Sequence, residues 1–339
     1  MATQARAELG TAAPARDDRG RAAHRRGRWT VVVVATVLAV SGCGVRLDSP
    51  PPPLPTAGPA EAARQAAAQR SERLAALATS VLGGAGEGDA ELERVAEQAA
   101  EHVVALGGVW VPPDWAEPTG AGEPAGPSEP TDPASAASPD PPTAADVARA
   151  LLASAESTCG DAITVDPADL ATLLASICLA QDRAATSLGE ALGDPPGMPG
   201  PAEREAALRA AVEAVPETSS LARSLDAAGC ALEVEAARST GPARTELADR
   251  ARAHRATALL LLETAGTLGT AEDPRRAAYS LDEDASDPAA VETEVLAAWT
   301  AVVGSVPAAV RGAALAEMVT AERAAHEWGA PATTFPGLP

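Results

Sequence analysis

From about residue 59 onward the apolar positions recur at three- and four-residue intervals, the spacing of one face of an α-helix rather than the alternation of a strand. Ala67, Leu74, Leu77, Val81 and Leu82 mark a helix that starts near Ala60 and stops at Gly83 and Gly84. Leu92, Val95, Ala99, Val103 and Leu106 mark another over Asp89 to Leu106, so residues 60–106 read as a helical hairpin. Thr143, with Asp146 three residues on, predicts a capped start for the next helix, whose stripe is Val147, Leu151 and Leu152. Asp166 and Pro167 are expected as cap and first residue of a further helix that buries Leu170, Leu173, Leu174, Ile177 and Leu188. With a run from about Ala202 to Ala214, these make a helical region over 143–214.

Residues 217–339 hold four more runs, near Thr218–Arg238, Pro242–Leu268, Pro288–Val303 and Pro307–Trp328. Their stripes are Leu221, Leu225, Ala228 and Leu232; Leu247, Ala251, His254, Ala258 and Leu261; Val295, Trp299, Val302 and Val306; and Leu315, Met318 and Val319. Short connections, apart from a crossover at Gly269 to Asp287, describe an antiparallel four-helix bundle. The expected fold class is all-α, a helical bundle preceded by an N-terminal helical region.

Three segments break the helical pattern. Arg21, His24, Arg25, Arg26 and Arg28 precede the apolar run Trp29 to Cys43, which is too short to span a hydrocarbon core of about 30 Å. A basic flank, a short apolar core and small residues describe a secretory signal over 1–42. Val40, Ser41, Gly42 and Cys43 resemble a bacterial lipobox, in which the cysteine sulfur takes a diacylglyceryl group and becomes the new N-terminus. Residues 43–59, with Pro50 to Pro53, read as a proline-rich tether. Residues 107–142 read as a Pro/Gly/Ser/Glu-rich linker or loop, with Trp110 and Trp115 either capping the hairpin or forming an exposed contact patch.

Composition sharpens this picture. Hydrophobic residues reach 46%, yet aromatics are 2% and lysine is absent, so the apolar content is largely alanine with leucine and valine. Such side chains favour helices that approach closely and give sheets little to build with. The net charge is −21, and because residues 1–42 carry seven Arg against three acids, the rest stands near −25. A surface that acidic repels phosphate backbones, which argues against nucleic-acid binding.

Once Cys43 is lipidated, Cys159, Cys178 and Cys230 remain, without the Cys-x-x-Cys spacing of a zinc or thioredoxin-like site. Outside the membrane one disulfide is expected. Cys159 closes one helix, Cys178 lies inside the next, and the connection between them is long enough to bring the two together, leaving Cys230 buried. His102 beside the second helix's stripe has no partner at ligand spacing and reads as structural or exposed.

At Tyr279-Ser280-Leu281, the acidic crossover, Val291-Glu292-x-x-Val295, Trp299 and the ending Phe335-Pro336-Gly337-Leu338-Pro339, with Ala253-His254-Arg255 on the second helix, the chain resembles a known family. It is similar, over about 217–339, to the actinobacterial ferritin-like family catalogued as domain of unknown function 4439, whose members often follow a lipoprotein signal. The resemblance implies a ferritin-like four-helix fold and no established activity. Ferritin-like diiron proteins take Glu-x-x-His from two helices and a Glu from each of the others. This chain contains no Glu-x-x-His, and Gly229 and Cys230 stand where family members tend to carry an acid and a histidine. The remaining candidates for metal are Glu235, His254, Glu292, Glu322 and His326, of which Glu322 and His326 lie one turn apart.

No Gly-x-Ser-x-Gly elbow and no phosphate-cradling glycine loop occurs, so no enzymatic activity is indicated. The favoured reading is a lipoprotein anchored in the cell membrane, on its extracytoplasmic face, whose helical body binds or supports an envelope partner without a cofactor. The alternative is a ferritin-like protein that handles iron or manganese, or redox chemistry, at the five candidates. On the favoured reading the C-terminal bundle over 217–339 is expected to fold and stay folded without metal. Replacement Cys43→Ala is expected to leave an unprocessed precursor without a diacylglyceryl group; a variant processed and fractionated like the wild type, as read by mass spectrometry, would refute the lipobox.

Overall fold

A computed structural model describes residues 56–83, 88–112, 141–193, 218–280 and 287–339. The signal segment with Cys43, most of the tether, Trp115 and most of the linker, the run at 202–214 and Leu281 lie outside them. All regular structure among the described residues is helical: α1 (Pro59–Val81), α2 (Asp89–Ala105), α3 (Ala144–Thr164), α4 (Ala168–Ala191), α5 (Thr218–Arg238), α6 (Gly241–Ala265), α7 (Pro288–Ser305) and α8 (Ala308–Glu327). The chain is an all-α helical bundle.

Helix α4 lies at the centre. Every residue from Leu174 to Gln181 is buried, so this stretch has no solvent face and does not show the one-sided pattern of a surface helix. Consecutive helices pair as α1 with α2, α3 with α4, α5 with α6 and α7 with α8. Helix α7 then packs on α4 and α5, and α8 packs on α3 and α4. One apolar core therefore runs from Ala67 of α1 through Leu174 and Ile177 of α4 to Leu225, Leu261, Trp299 and Met318 of the later helices.

Local chemistry sets the boundaries. Thr143 and Asp146 form a reciprocal capping box at α3. Asp166 does not cap α4; Pro167 is the N-cap, and the helix begins at Ala168. Helix α6 ends at Ala265 rather than Leu268, because Gly266 turns left-handed (φ 69°) and the Thr267 N–H closes on the Leu262 carbonyl at 3.0 Å. The last carbonyls of α3 receive an unusual cap. Arg311 of α8, 4% exposed, donates to the Ala162, Ile163 and Val165 oxygens at 3.0, 3.1 and 2.6 Å. Its positive charge also sits at the negative end of that helix.

Several expected core positions differ; Leu170 and Leu173 of α4, for example, are only half-buried. Leu152 is exposed, with Leu151 and Ala155 taking the inner face of α3. On α2 His102 takes the buried place and Val103 is only half-buried. Trp110 is 52% exposed rather than capping the hairpin, since the loop is held through backbone: its own carbonyl accepts from Gln65 at 3.4 Å, and those of Leu106 and Gly108 accept from Arg64.

The tail ties α2, α4 and α7 together. The His102 imidazole donates to the Thr334 carbonyl at 2.9 Å and meets the Phe335 ring edge-on at 5.4 Å between centroids. The buried Ser176 hydroxyl donates to the Pro336 carbonyl at 2.9 Å. Gly337 has φ 79°, and a Cβ there would collide with the Thr300 hydroxyl. Replacement Gly337→Ala should cost about 2–4 kcal/mol, combining the collision with left-handed strain. Gly329→Ala, also at positive φ but in open space, should cost only about 1–2 kcal/mol. Urea unfolding of both variants checks this, and equal losses would mean that the tail is not seated against α7.

Candidate functional site

Two of the buried acids, Glu292 and Glu322, each belong to a cluster centred on an arginine. The first joins α6 to α7. Glu292 has no exposed side-chain surface, and its carboxylate takes two parallel bonds from Arg250, Nε to Oε1 and Nη2 to Oε2, both at 2.6 Å. His254 Nε2 donates to the same Oε1 at 2.9 Å, which places its proton on Nε2. Burial pushes the Glu292 carboxyl up, but Arg250 and His254 together hold it down to about 2. Arg250 stands one turn before His254 on α6, so both reach the same point on α7.

The second cluster joins α4 to α8. Arg183 Nη1 donates to Glu322 Oε1 at 2.6 Å, and Nη2 reaches His326 Nδ1 at 3.0 Å and the Ala330 carbonyl at 2.7 Å. Beside it Arg323 pairs with Asp182 at 2.9 Å. His326 accepts at Nδ1, so its proton lies on Nε2, which faces Glu190 at 3.9 Å. Glu322 behaves opposite to Glu292: burial raises its carboxyl above the ordinary range, with Arg183 offsetting only part. Its Oε2 is buried without a hydrogen-bond partner, whereas both oxygens of Glu292 are engaged.

The five metal candidates therefore separate. Glu292 and His254 meet, Glu322 and His326 share Arg183, and Glu235 pairs with Arg238 of its own helix at 3.5 Å. On α5 the side chain of Arg255 crosses Gly229, so that a Cβ on Gly229 would lie 2.6 Å from Arg255 Cγ. Arg255 goes on to Glu233 at 2.7 Å and lies 3.7 Å from Asp226. Among the described residues no group of three or more His, Cys, Asp and Glu side chains is gathered as a metal would need. A di-iron or di-manganese centre does not fit this donor set, because guanidinium groups hold the carboxylates that a cation would require.

Cys159 and Cys178 form a disulfide between α3 and α4, with Cα atoms 5.3 Å apart, and Cys230 is a half-buried free thiol. Burial pushes His102 below the usual histidine range; its ring is the neutral donor to Thr334.

Residues 220–339 match the family described as Domain of unknown function (DUF4439). The match takes in nearly all of α5, then α6 to α8 and the tail, and so covers the Glu292 cluster whole and the α8 side of the Glu322 cluster. Among curated proteins and solved structures, none matches the chain.

Sequence reasoning named the acids and histidines and missed their partners Arg250, Arg183 and Arg238. One signal was present: Arg250 interrupts the stripe between Leu247 and His254, and an arginine among buried alanines needs an acid opposite it. Replacement Glu292→Ala is expected to cost about 2–3 kcal/mol at neutral pH, because it leaves the half-buried Arg250 and the buried His254 without the carboxylate that holds both. Since the folded pKa of Glu292 is depressed, its contribution is complete above about 4.5 and is lost as pH falls toward about 2. Urea unfolding across that interval should show a shallower acid loss in the variant than in the wild type; identical slopes would contradict the buried pairing.

Proposed function

We propose that this chain is a lipoprotein held at the extracytoplasmic face of the cell membrane, whose ferritin-like helical domain works without metal as a binding or structural module. The observation that carries this reading is the pairing of inward acids with arginines. Arg250 holds Glu292, and Arg183 holds Glu322 and His326, so a permanent cation of the chain itself stands beside each carboxylate. The ferritin-like assignment is supported by the helical architecture and by the family match, and the anchored location by the Val40-Ser41-Gly42-Cys43 sequence. A disulfide between Cys159 and Cys178 is in keeping with an oxidising compartment. Among the described residues no helix is long and apolar enough to cross a membrane; attachment in this reading is through lipid at Cys43.

Elemental analysis of the purified protein, beside thermal unfolding with and without a strong chelator, tests the metal-independent reading. The expected result is far less than one iron, manganese or zinc per chain and an unchanged melting temperature. Near-stoichiometric metal that disappears in His254→Ala or His326→Ala would replace this reading with the metal-handling one.

A further inference from the structure

Between α5, the crossover after α6, and α7 lies an open groove of about 270 Å³, lined by Arg223 and Ser224, by Arg276 and Tyr279, and by Glu294 and Val295. Acids outnumber basic residues 47 to 26 in this chain, and its buried or half-buried arginines are matched to carboxylates or to helix carbonyls. Among the described residues, neither the Arg223 nor the Arg276 guanidinium has such a partner. Two solvent-exposed guanidinium groups on one concavity of an acid-rich protein offer strong, planar donors to a ligand.

The wall that carries Arg276 is pinned in place. Tyr279, the only tyrosine of the chain, donates its hydroxyl to Asp226 Oδ2 at 2.8 Å and accepts the Arg276 N–H at 3.3 Å. Immediately before it Arg275 bonds both oxygens of Asp273, at 3.0 and 2.8 Å, and Asp273 takes the Gly269 N–H at 2.9 Å. The crossover is thus folded against α5 by polar contacts, with the Arg276 side chain exposed at the groove. Such preorganisation lowers the ordering cost of binding.

We propose that this groove binds a small organic or inorganic oxyanion, with a carboxylate or phosphate group held by Arg223 and Arg276. A groove of this volume suits a small molecule rather than a macromolecular segment. Glu294 on the α7 wall works against a polyanion, so an extended nucleic acid or acidic polymer is disfavoured. The site shares no residue with the Glu292 and Glu322 clusters, and its test is independent of metal content and of lipidation.

The test is calorimetric titration of the full-length protein in detergent at low ionic strength, with succinate and inorganic phosphate as separate probes. Saturable one-to-one binding of at least one probe is expected, and which of them binds separates a carboxylate from a phosphate ligand. Combined replacement Arg223→Ala with Arg276→Ala should weaken it by about tenfold or more, the loss of charge-assisted hydrogen bonds. Arg244→Ala, an exposed arginine outside the groove, should leave binding unchanged, and Glu294→Gln should tighten it by removing a like charge. Should the alanine pair lose its helical circular dichroism, the pair Arg223→Lys with Arg276→Lys keeps the charges without the planar fork and should bind with intermediate affinity. Binding of neither probe up to millimolar concentration, or equal binding by the Arg223 and Arg276 variants and the wild type, would overturn the proposal.

Discussion

The narrowness of alanine governs this molecule. Helix α4 can be enclosed on all sides only because Ala171, Ala175, Ala180, Ala184 and Ala185 let neighbouring backbones come close, and Ala228, Ala251, Ala314 and Ala321 do the same on the helices around it. Among the described residues Trp299 is the one aromatic side chain in the innermost core; elsewhere leucines fill what the alanines leave. Small side chains bury little area each, at about 25 cal/mol per Å² of apolar surface, so the fold needs many contacts of modest worth and tolerates few voids. Directional bonds between helices then matter more than in an aromatic-rich core. Arg311 at the end of α3, the Cys159–Cys178 disulfide and the two arginine–carboxylate clusters are those bonds.

A buried carboxylate in such a core must have a positive partner, and the choice of partner has consequences. A metal ion is exchangeable and invites redox chemistry; a guanidinium is covalently fixed, charged at any accessible pH and indifferent to oxidants. Replacing one by the other keeps the electrostatic balance while removing the reactivity. The two clusters do not reach the same balance. Glu292 is satisfied at both oxygens and held strongly acidic, while Glu322 keeps one oxygen without a partner and is held weakly acidic despite its ion pair. The first adds stability at neutral pH, and the second subtracts from it.

What could be read from the order of residues was governed by range. Helix periodicity and capping act over a few residues, so Thr143 with Asp146, Thr218–Arg238 and the start at Pro288 stand where the pattern places them. The stripes of α5, α6 and α7 are buried as their spacing requires. Periodicity failed on α4, where burial on every side erases the contrast between faces, and at Leu152, where two adjacent leucines compete for one inward position. At the candidate site the acids and histidines were visible as types, but their partners lie far along the chain. Arg183 and Glu322 are separated by 139 residues, Arg250 and Glu292 by 42, and no local rule links them. The Phe335-Pro336-Gly337 ending was legible as a recognisable sequence, whereas its docking on His102, Ser176 and Thr300 was not.

That docking has a bearing on how the chain assembles. The bond between His102 and Thr334 closes a loop of 232 residues, against spans of a few residues for the turns that pair α5 with α6 or α7 with α8. Closing so long a loop is entropically costly until the intervening hairpins are in place, so this contact belongs to the end of the folding sequence rather than to its nucleus. Interactions absent from the transition state act on the rate of unfolding and leave the rate of folding almost unchanged. The tail is therefore a kinetic latch: it governs how long the assembled molecule persists rather than how quickly it forms.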